Sequence, residues 1–370
     1  MNSRAFHGRF RTRIALAAVV GVCLLGVAAC AQHGSQGSTA QGQAAGASEP
    51  AAPPLPSTAP QLQDDYQAVV ARVLPSVVQI TTDQGLGSGV VFDKQGDIVT
   101  NDHVVGNAQH FQVRLSSSPT SVPASLVGAY PPDDLAVIKL DQPPASLVPA
   151  TFGNSAQLRI GAIVLALGNP LGLSGSVTEG IISATGRTVS EPRSADSPGA
   201  TLPDVLQTSA AINPGNSGGA LVDLSGQVIG VPTLAALDQQ VGGGAAPGIG
   251  FAIPSSLVSD IAGQIVHNGH VIDSHRAALG VGVVTVIDSA GQPGGAGVAS
   301  ATPGGPAATA GIQPGSVITQ IGGQPVHSDA DLTKVLAGMQ PGQQVPVVLN
   351  DPQTGSNKTI TVTLGQLPGS

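Results

Sequence analysis

From Tyr66 onward the apolar residues of this 370-residue chain come in strand-length runs, each closed by a glycine-rich turn. That punctuation disfavours a helical bundle, because glycine raises the entropy cost of an ordered helical backbone and proline removes a donor from it. Glycine and proline number 50 and 30, whereas only 10% of residues are charged. Disorder would share this bias, but the apolar fraction of 41% is enough to build a core. Ser76–Thr82 (SVVQITT) is β-branched, and Val90–Asp93 and Asp97–Thr100 flank the turn Lys94-Gln95-Gly96 as a hairpin. Further runs fall at Phe111–Leu115, Leu126–Ala129, Leu135–Leu140, Ile163–Leu167, Gly180–Thr185, Gly219–Val222, Gln227–Val231 and Gly250–Ile253. The fold class is therefore mainly β, with periodicity alone leaving barrel and sandwich both open. Ser255–Asn268 is the clearest helix, with Ser255 or Ser256 as its cap and Gly269 as its stop.

A second, smaller unit begins near residue 277. Ala278–Thr285, Val298–Ala301, Val317–Ile321, Val345–Leu349 and Thr359–Thr363 read as strands, and Pro306–Ala310 and Asp329–Leu336 as helices. This α+β unit contains no constellation suited to catalysis.

The N-terminus reads as an address. Arg4, Arg9, Arg11 and Arg13 precede the apolar run Ile14–Ala29, which is short for a membrane span and suits a signal peptide over residues 1–29. Val27-Ala28-Ala29-Cys30 resembles a bacterial lipobox, which makes Cys30 the lipidation site; an uncleaved signal anchor is the alternative. The following stretch, to residue 62, is rich in Gln, Gly, Ser, Ala and Pro and reads as a spacer. Cys23 leaves with a cleaved leader, so the folded part has no cysteine and no disulfide. Beyond residue 29 the chain carries 10 basic against 22 acidic residues, so no basic surface remains to follow a phosphate backbone and no nucleic-acid partner is expected.

Asn213-Pro214-Gly215-Asn216-Ser217-Gly218-Gly219 is the strongest chemical signal. A nucleophilic serine needs backbone N–H groups aimed at the oxygen that becomes negative, and flanking glycines permit that backbone. A glycine-rich turn with a solvent-facing serine is the other reading of this motif alone. The serine needs a base and the base an orienting acid. Of the histidines, His103 stands apart, closing the strand in Ile98-Val99-Thr100-Asn101-Asp102-His103. His110, His267, His270, His275 and His327 read as surface residues. Asp134 heads the apolar run Leu135–Leu140, where a carboxylate would be held near the core; the preceding Asp133 reads as a turn residue.

The order His103, Asp134, Ser217 is that of chymotrypsin-like proteases, and the surrounding segments resemble the HtrA/Deg family of envelope quality-control proteases. The stretches that carry the likeness are GLGSGVVFDKQGDIVTNDHVV (85–105), DDLAVIKL (133–140), GNPLGLSGSVTEGIISATGR (168–187), QTSAAINPGNSGGALVD (207–223) and GIGFAIP (248–254). Leu279-Gly280-Val281 and the segment from Gly304 to Ile321 resemble that family's PDZ domain. The resemblance implies a chymotrypsin-like double six-stranded β-barrel over residues 63–272 and a PDZ domain over 273–370. It implies His103, Asp134 and Ser217 as the triad, the N–H groups of Gly215 and Ser217 as the oxyanion hole, and Leu279, Gly280 and Val281 as the peptide-carboxylate loop. It implies a serine endopeptidase that needs no metal or cofactor, a homotrimer joined through the segment around Tyr66, and a membrane-anchored place in the cell envelope. Its partners would be unfolded or peptide substrates and, at the PDZ domain, peptide C-termini.

Asp102 stands where the family usually has asparagine, Ser209 where it has aspartate, and Ala220 where it has proline. Ala211, six residues before the nucleophile, offers no charge to a basic side chain, so cleavage after small or aliphatic residues is expected. Two other functions compete with the protease: a binder of misfolded chains that cleaves poorly, and a tethered scaffold.

Overall fold

The computed structural model describes residues 58–83, 85–169, 175–191, 200–213, 215–238, 244–288, 291–351 and 354–369. Cys30, the expected leader and most of the expected spacer lie outside them, as do Pro214 and residues 170–174 of the 168–187 segment. Among the described residues no helix is long and apolar enough to cross a membrane.

Helix α1, Thr58–Val73, starts inside the stretch that the sequence reads as spacer. Its Tyr66, Val69, Val70 and Val73 recur at helical spacing and pack against Val77, Leu165 and Val222. The helix is thus held by the barrels it precedes.

Six strands close the first barrel: β1 (Val77–Thr81), β2 (Leu86–Val91), β3 (Asp97–Thr100), β4 (His110–Leu115), β5 (Ser121–Tyr130) and β6 (Leu135–Leu140). They run in the order β1-β2-β3-β6-β5-β4, and closure leaves no free edge. The expected hairpin is present, with Val90 opposite Val99 and Val91 opposite Ile98. Its turn is held by Asp93, whose Oδ1 accepts from the N–H groups of Gln95 (2.9 Å) and Asp97 (3.1 Å). Asp97 faces Lys139 across the β3–β6 pair, and their side chains meet at 2.7 Å.

The second barrel repeats the plan with β7 (Ile163–Gly168), β8 (Ser176–Glu191), β9 (Ala200–Thr208), β10 (Ala220–Asp223), β11 (Val228–Asp238) and β12 (Gly244–Pro254), in the order β10-β11-β12-β9-β8-β7. A one-turn helix, α2 (Asp102–Val105), follows β3, and helix α3 (Ser255–Asn268) follows β12. α3 buries Val258, Ile261, Ala262 and Ile265 against Val99, Tyr130 and Val137 of the first barrel and Val205 and Val231 of the second. Each fully buried aliphatic side chain contributes about 1.5–3 kcal/mol, so this helix fastens the two barrels together. Gly269 stops it in a left-handed conformation at φ 77°, as expected. The expected serine caps are absent: Ser255 Oγ instead donates to the Gly153 carbonyl at 2.7 Å, and the Ser256 N–H donates to Ser155 Oγ at 3.1 Å.

The third body begins with β13 (Ala277–Ala278), followed by β14 (Val281–Ile287), β15 (Pro293–Ala301), helix α4 (Pro306–Ala310), β16 (Val317–Ile321), β17 (Gln324–Pro325), helix α5 (Asp329–Ala337), β18 (Gln344–Asn350), β19 (Asn357–Thr363) and β20 (Gly365–Gln366). The sheet order is β14-β15-β16-β18-β19, which leaves β14 at an edge, while β20 pairs with β13. Ser328 Oγ caps α5 by accepting from the Asp331 N–H at 3.1 Å. Its core is Leu279, Val298, Ile318, Leu332, Val347 and their neighbours. The described residues belong to one compact unit.

Candidate active site

His103 lies in α2 and not at the end of a strand as expected, because β3 stops at Thr100 and the chain turns at once. Asn101, fully buried, makes that turn specific by donating its Nδ2 hydrogen to the Asp134 carbonyl at 2.9 Å. Asp134 itself follows a 3₁₀ turn, Pro131–Asp133, and takes up a left-handed conformation (φ 51°, ψ 44°) with its N–H on the Pro131 carbonyl at 3.0 Å. This backbone aims the carboxylate back at α2. The His103 N–H donates to Asp134 Oδ1 at 3.0 Å, and the imidazole Nδ1 lies 3.0 Å from Oδ1 and 2.9 Å from Oδ2. The acid is 6% exposed and the imidazole 28%, so Nδ1 is oriented from the buried side while the ring reaches solvent.

Thr233, on β11, completes the arrangement. Its hydroxyl donates to Asp134 Oδ2, and its carbonyl accepts the Ser217 hydroxyl at 3.3 Å. Sequence reasoning missed this residue; Thr233 is 99 positions from Asp134, and no local pattern marks it.

Ser217 sits in the turn before β10, and the other barrel shapes that turn. The Ser88 N–H on β2 donates to the Ser217 carbonyl at 3.0 Å, while Ser88 Oγ donates to the Gly215 carbonyl at 2.6 Å and accepts from the Asn169 N–H at 2.8 Å. Asn216 braces the turn from inside, its Oδ1 accepting from the Asn213 N–H at 3.1 Å and its Nδ2 donating to the Ala211 carbonyl at 3.0 Å. Gly215 and Gly218 have φ of 107° and 79°, where a side chain is strained. At Gly218 a Cβ would also overlap the Ser88 carbonyl oxygen and Thr100 Oγ1. Gly218 is therefore required by the close approach of the two barrels.

Asp102, next to the imidazole, is a second carboxylate in the site. Burial pushes its carboxyl up to about 6, the Asp134 charge adds to the rise, and His103 opposes it. Asp133 is the turn residue expected from the sequence, closing the 3₁₀ turn Pro131–Asp133, but it is buried. It is 1% exposed and paired with Arg276 at 2.9 Å; burial raises its carboxyl and the guanidinium counters. Ser209 Oγ accepts from the Ile181 N–H at 3.0 Å, and Ala220 is fully buried in β10. Ala211 is exposed, its carbonyl also accepting from Thr178 Oγ1 at 2.9 Å. His110, His267, His270, His275 and His327 are exposed, as expected.

In the third body Leu279 is buried and Gly280 takes φ 69°. The two carbonyls are tied down, Leu279 accepting from the Ala307 N–H at 2.9 Å and Gly280 from the Thr302 N–H at 2.8 Å. Beside this loop, between β14 and α5, lies a cavity of about 480 Å³ lined by Leu279, Val281, Leu332 and Leu336 among others.

Residues 87–231 match the trypsin-like peptidase domain family, and residues 297–350 match the PDZ domain family. The chain is 38% identical to serine protease PepD of Mycobacterium tuberculosis over 85% of its own length and 69% of that protein's. The chain belongs to the HtrA-type serine proteases. The solved structure of the HtrA-type protease AlgW with a decapeptide is 33% identical, covers 82% of this chain and 99% of its own, and superposes with a TM-score of 0.54. A "Probable periplasmic serine endoprotease DegP-like" of Brucella suis is 39% identical over 76% of this chain, which spans about half (53%) of that relative's length. The two closed six-stranded barrels and the α+β unit are the architecture expected of an HtrA-type chain.

Proposed function

We propose that this HtrA-type chain is an extracytoplasmic endopeptidase that degrades unfolded envelope proteins through His103, Asp134 and Ser217. Ser217 Oγ attacks the scissile carbonyl, His103 takes its proton and returns it to the leaving amine, and Asp134 holds the imidazole and steadies its charge. The N–H groups of Gly215 and Ser217 receive the oxyanion, a role worth about 10²–10³ in rate per donor. The observation that carries this reading is the grip of Asp134 on Nδ1 of His103, at 2.9 and 3.0 Å, with Thr233 reaching from that carboxylate to Ser217. A protein that only bound misfolded chains would have no use for such an alignment.

The protease domain of this reading spans residues 63–272, extended back to Thr58 by α1, and the PDZ domain spans 273–370. The PDZ cavity takes a peptide C-terminus: the edge strand β14 offers main-chain pairing, the loop at Leu279, Gly280 and Val281 offers N–H groups to the carboxylate, and Leu332 and Leu336 take an apolar last side chain. The periplasmic naming of the Brucella relative agrees with a leader over 1–29, and the lipobox places lipid on Cys30. α1, with Tyr66 half-buried and Leu62 exposed, is the surface proposed to join a homotrimer.

The full-length chain and Ser217→Ala are compared for cleavage of unfolded casein and for labelling by a fluorophosphonate. Cleavage and labelling in the wild type, both lost in the variant, are expected. A wild type that is never labelled, even with C-terminal peptides present, overturns the enzyme reading and leaves a binder.

A further inference from the structure

One buried cation belongs to neither barrel yet reaches both. Arg276 immediately precedes β13, the first strand of the PDZ domain, and its side chain is 10% exposed. Its Nη1 donates to the Pro132 carbonyl and to Asp133 Oδ1 (2.9 Å), and its Nη2 donates to the Thr201 carbonyl on β9 (2.8 Å). The first two acceptors belong to the 3₁₀ turn that sets the left-handed backbone of Asp134. The third belongs to the second barrel. A planar fork of donors suits this task as an ammonium would not, because three acceptors on two segments are fixed by one rigid group.

The pair is more than a surface tie. Asp133 is 1% exposed, and its Oδ2 has no hydrogen-bond partner among the described residues, so its charge depends on the guanidinium, with a smaller contribution from His275. Removing one member of a buried pair leaves the other uncompensated, and the loop that carries it then has every reason to move. Asp134 is the next residue. On its far side the turn is held through the Asn101 bond to the Asp134 carbonyl, so Asn101 and Arg276 clamp it between them.

Arg276 is itself fixed by the end of the chain. Its carbonyl accepts from the Leu367 N–H at 2.7 Å, Ser274 Oγ donates to the Leu367 carbonyl at 2.7 Å, and Ala277 and Ala278 pair with Gln366 and Gly365. The PDZ domain's first and last strands thus hold the base of the side chain whose tip sits beside the acid of the triad.

We propose that Arg276, which also lines the PDZ cavity, is a positioning residue of the protease site, and that the PDZ domain, by anchoring it, keeps Asp134 in register with His103. The inference rests on the assignment of His103, Asp134 and Ser217 as the catalytic triad.

The test uses the full-length chain as wild type, Arg276→Ala, Arg276→Lys, Asp133→Asn and the Arg276→Ala/Asp133→Asn double variant. The readouts are kcat and KM on unfolded casein, with kcat expressed per site titrated by fluorophosphonate, and the rate of that labelling. Arg276→Ala is expected to lower kcat and the labelling rate roughly 10–100-fold, the scale of a sub-ångström to 1 Å misalignment, with KM nearly unchanged. Lysine should recover part of the loss. In the Asp133→Asn background the same alanine substitution should cost no more than about threefold, because the charge to be compensated is gone. If Arg276→Ala does not fold, Arg276→Lys against Asp133→Asn/Arg276→Lys gives the same comparison. A fall in melting temperature with kcat per titrated site unchanged overturns the proposal and leaves a purely structural pin. A wild type that is never labelled overturns the triad assignment instead, so the two failures are distinguishable.

Discussion

The Thr233 hydroxyl donates to Oδ2 of Asp134, across 99 residues of sequence and from one barrel to the other. The same residue's carbonyl accepts the Ser217 hydroxyl at 3.3 Å, so one threonine touches both the acid and the nucleophile. Thr233→Val keeps the shape and removes the donor to a buried carboxylate. A hydrogen bond to a charged group contributes about 1.5–3 kcal/mol, so kcat should fall roughly 10–100-fold. Steady-state kinetics with KM measured in parallel checks this, and an unchanged kcat would show that the remaining contacts of Asp134 suffice to hold it.

Asp102→Asn should change the response to pH in a definite direction. In the folded chain the carboxyl ionises at about 6, well above the ~3.9 of an unfolded chain. A raised carboxyl favours the folded state fully below the unfolded value, and that contribution is lost as pH rises through about 6. The asparagine variant should therefore gain in melting temperature relative to wild type at pH 8 and not at pH 4. Activity should follow the same charge: ionised Asp102 favours the protonated imidazole of its neighbour, so its removal should move the acid limb of kcat/KM to lower pH. Equal melting-temperature differences at both pH values would dismiss the electrostatic account.

Two glycines should respond to alanine with opposite signs. Gly218 has φ 79° with a carbonyl and a hydroxyl of the first barrel where its Cβ would go, so Gly218→Ala should abolish cleavage and lower stability. Gly263 lies within α3, with nothing within 4 Å of its Cβ position. Alanine there removes the entropy cost of a helical glycine and should stabilise by about 0.5–1 kcal/mol. Thermal unfolding of both variants, beside casein cleavage, separates the site glycine from the incidental one.

What the sequence made legible was local. The strand runs and their glycine turns foretold most strands of both barrels, and Asn-Ser-Gly-Gly, the histidine after Thr100 and the aspartate before Leu135 marked where chemistry would gather. What escaped was non-local or disguised. The helical spacing of Tyr66, Val69, Val70 and Val73 was masked by the proline- and glutamine-rich stretch leading into it. Thr233 fell beyond the strand run read as ending at Val231, and Asp133 looked like any turn aspartate, because the partners that give them meaning lie 99 and 143 residues away. Ser255 and Ser256 were placed correctly at the helix start, yet their hydroxyls serve the loop at 153–155 and not the helix.

The PDZ cavity yields a prediction independent of the protease chemistry. Leu332 and Leu336 lie one helical turn apart on α5, and both line the cavity beside Leu279 and Gly280. Burial of an aliphatic side chain contributes about 1.5–3 kcal/mol, so a peptide ending in Leu, Val or Phe should bind at least tenfold more tightly than one ending in Asp or Gly. Amidation of the same peptide removes the carboxylate from the loop N–H groups and should cost roughly another tenfold or more, the worth of a hydrogen bond to a charged group. Leu336→Arg should abolish the preference, and fluorophosphonate labelling of Ser217 is measured in parallel because α5 packs against β8 and β9 of the second barrel. Fluorescence anisotropy with labelled hexapeptides, free acid against amide, reads both effects. Equal affinity for the acid and the amide would mean that the cavity binds apolar side chains along β14 without reading a chain end, and would assign the domain to internal segments of unfolded substrates instead.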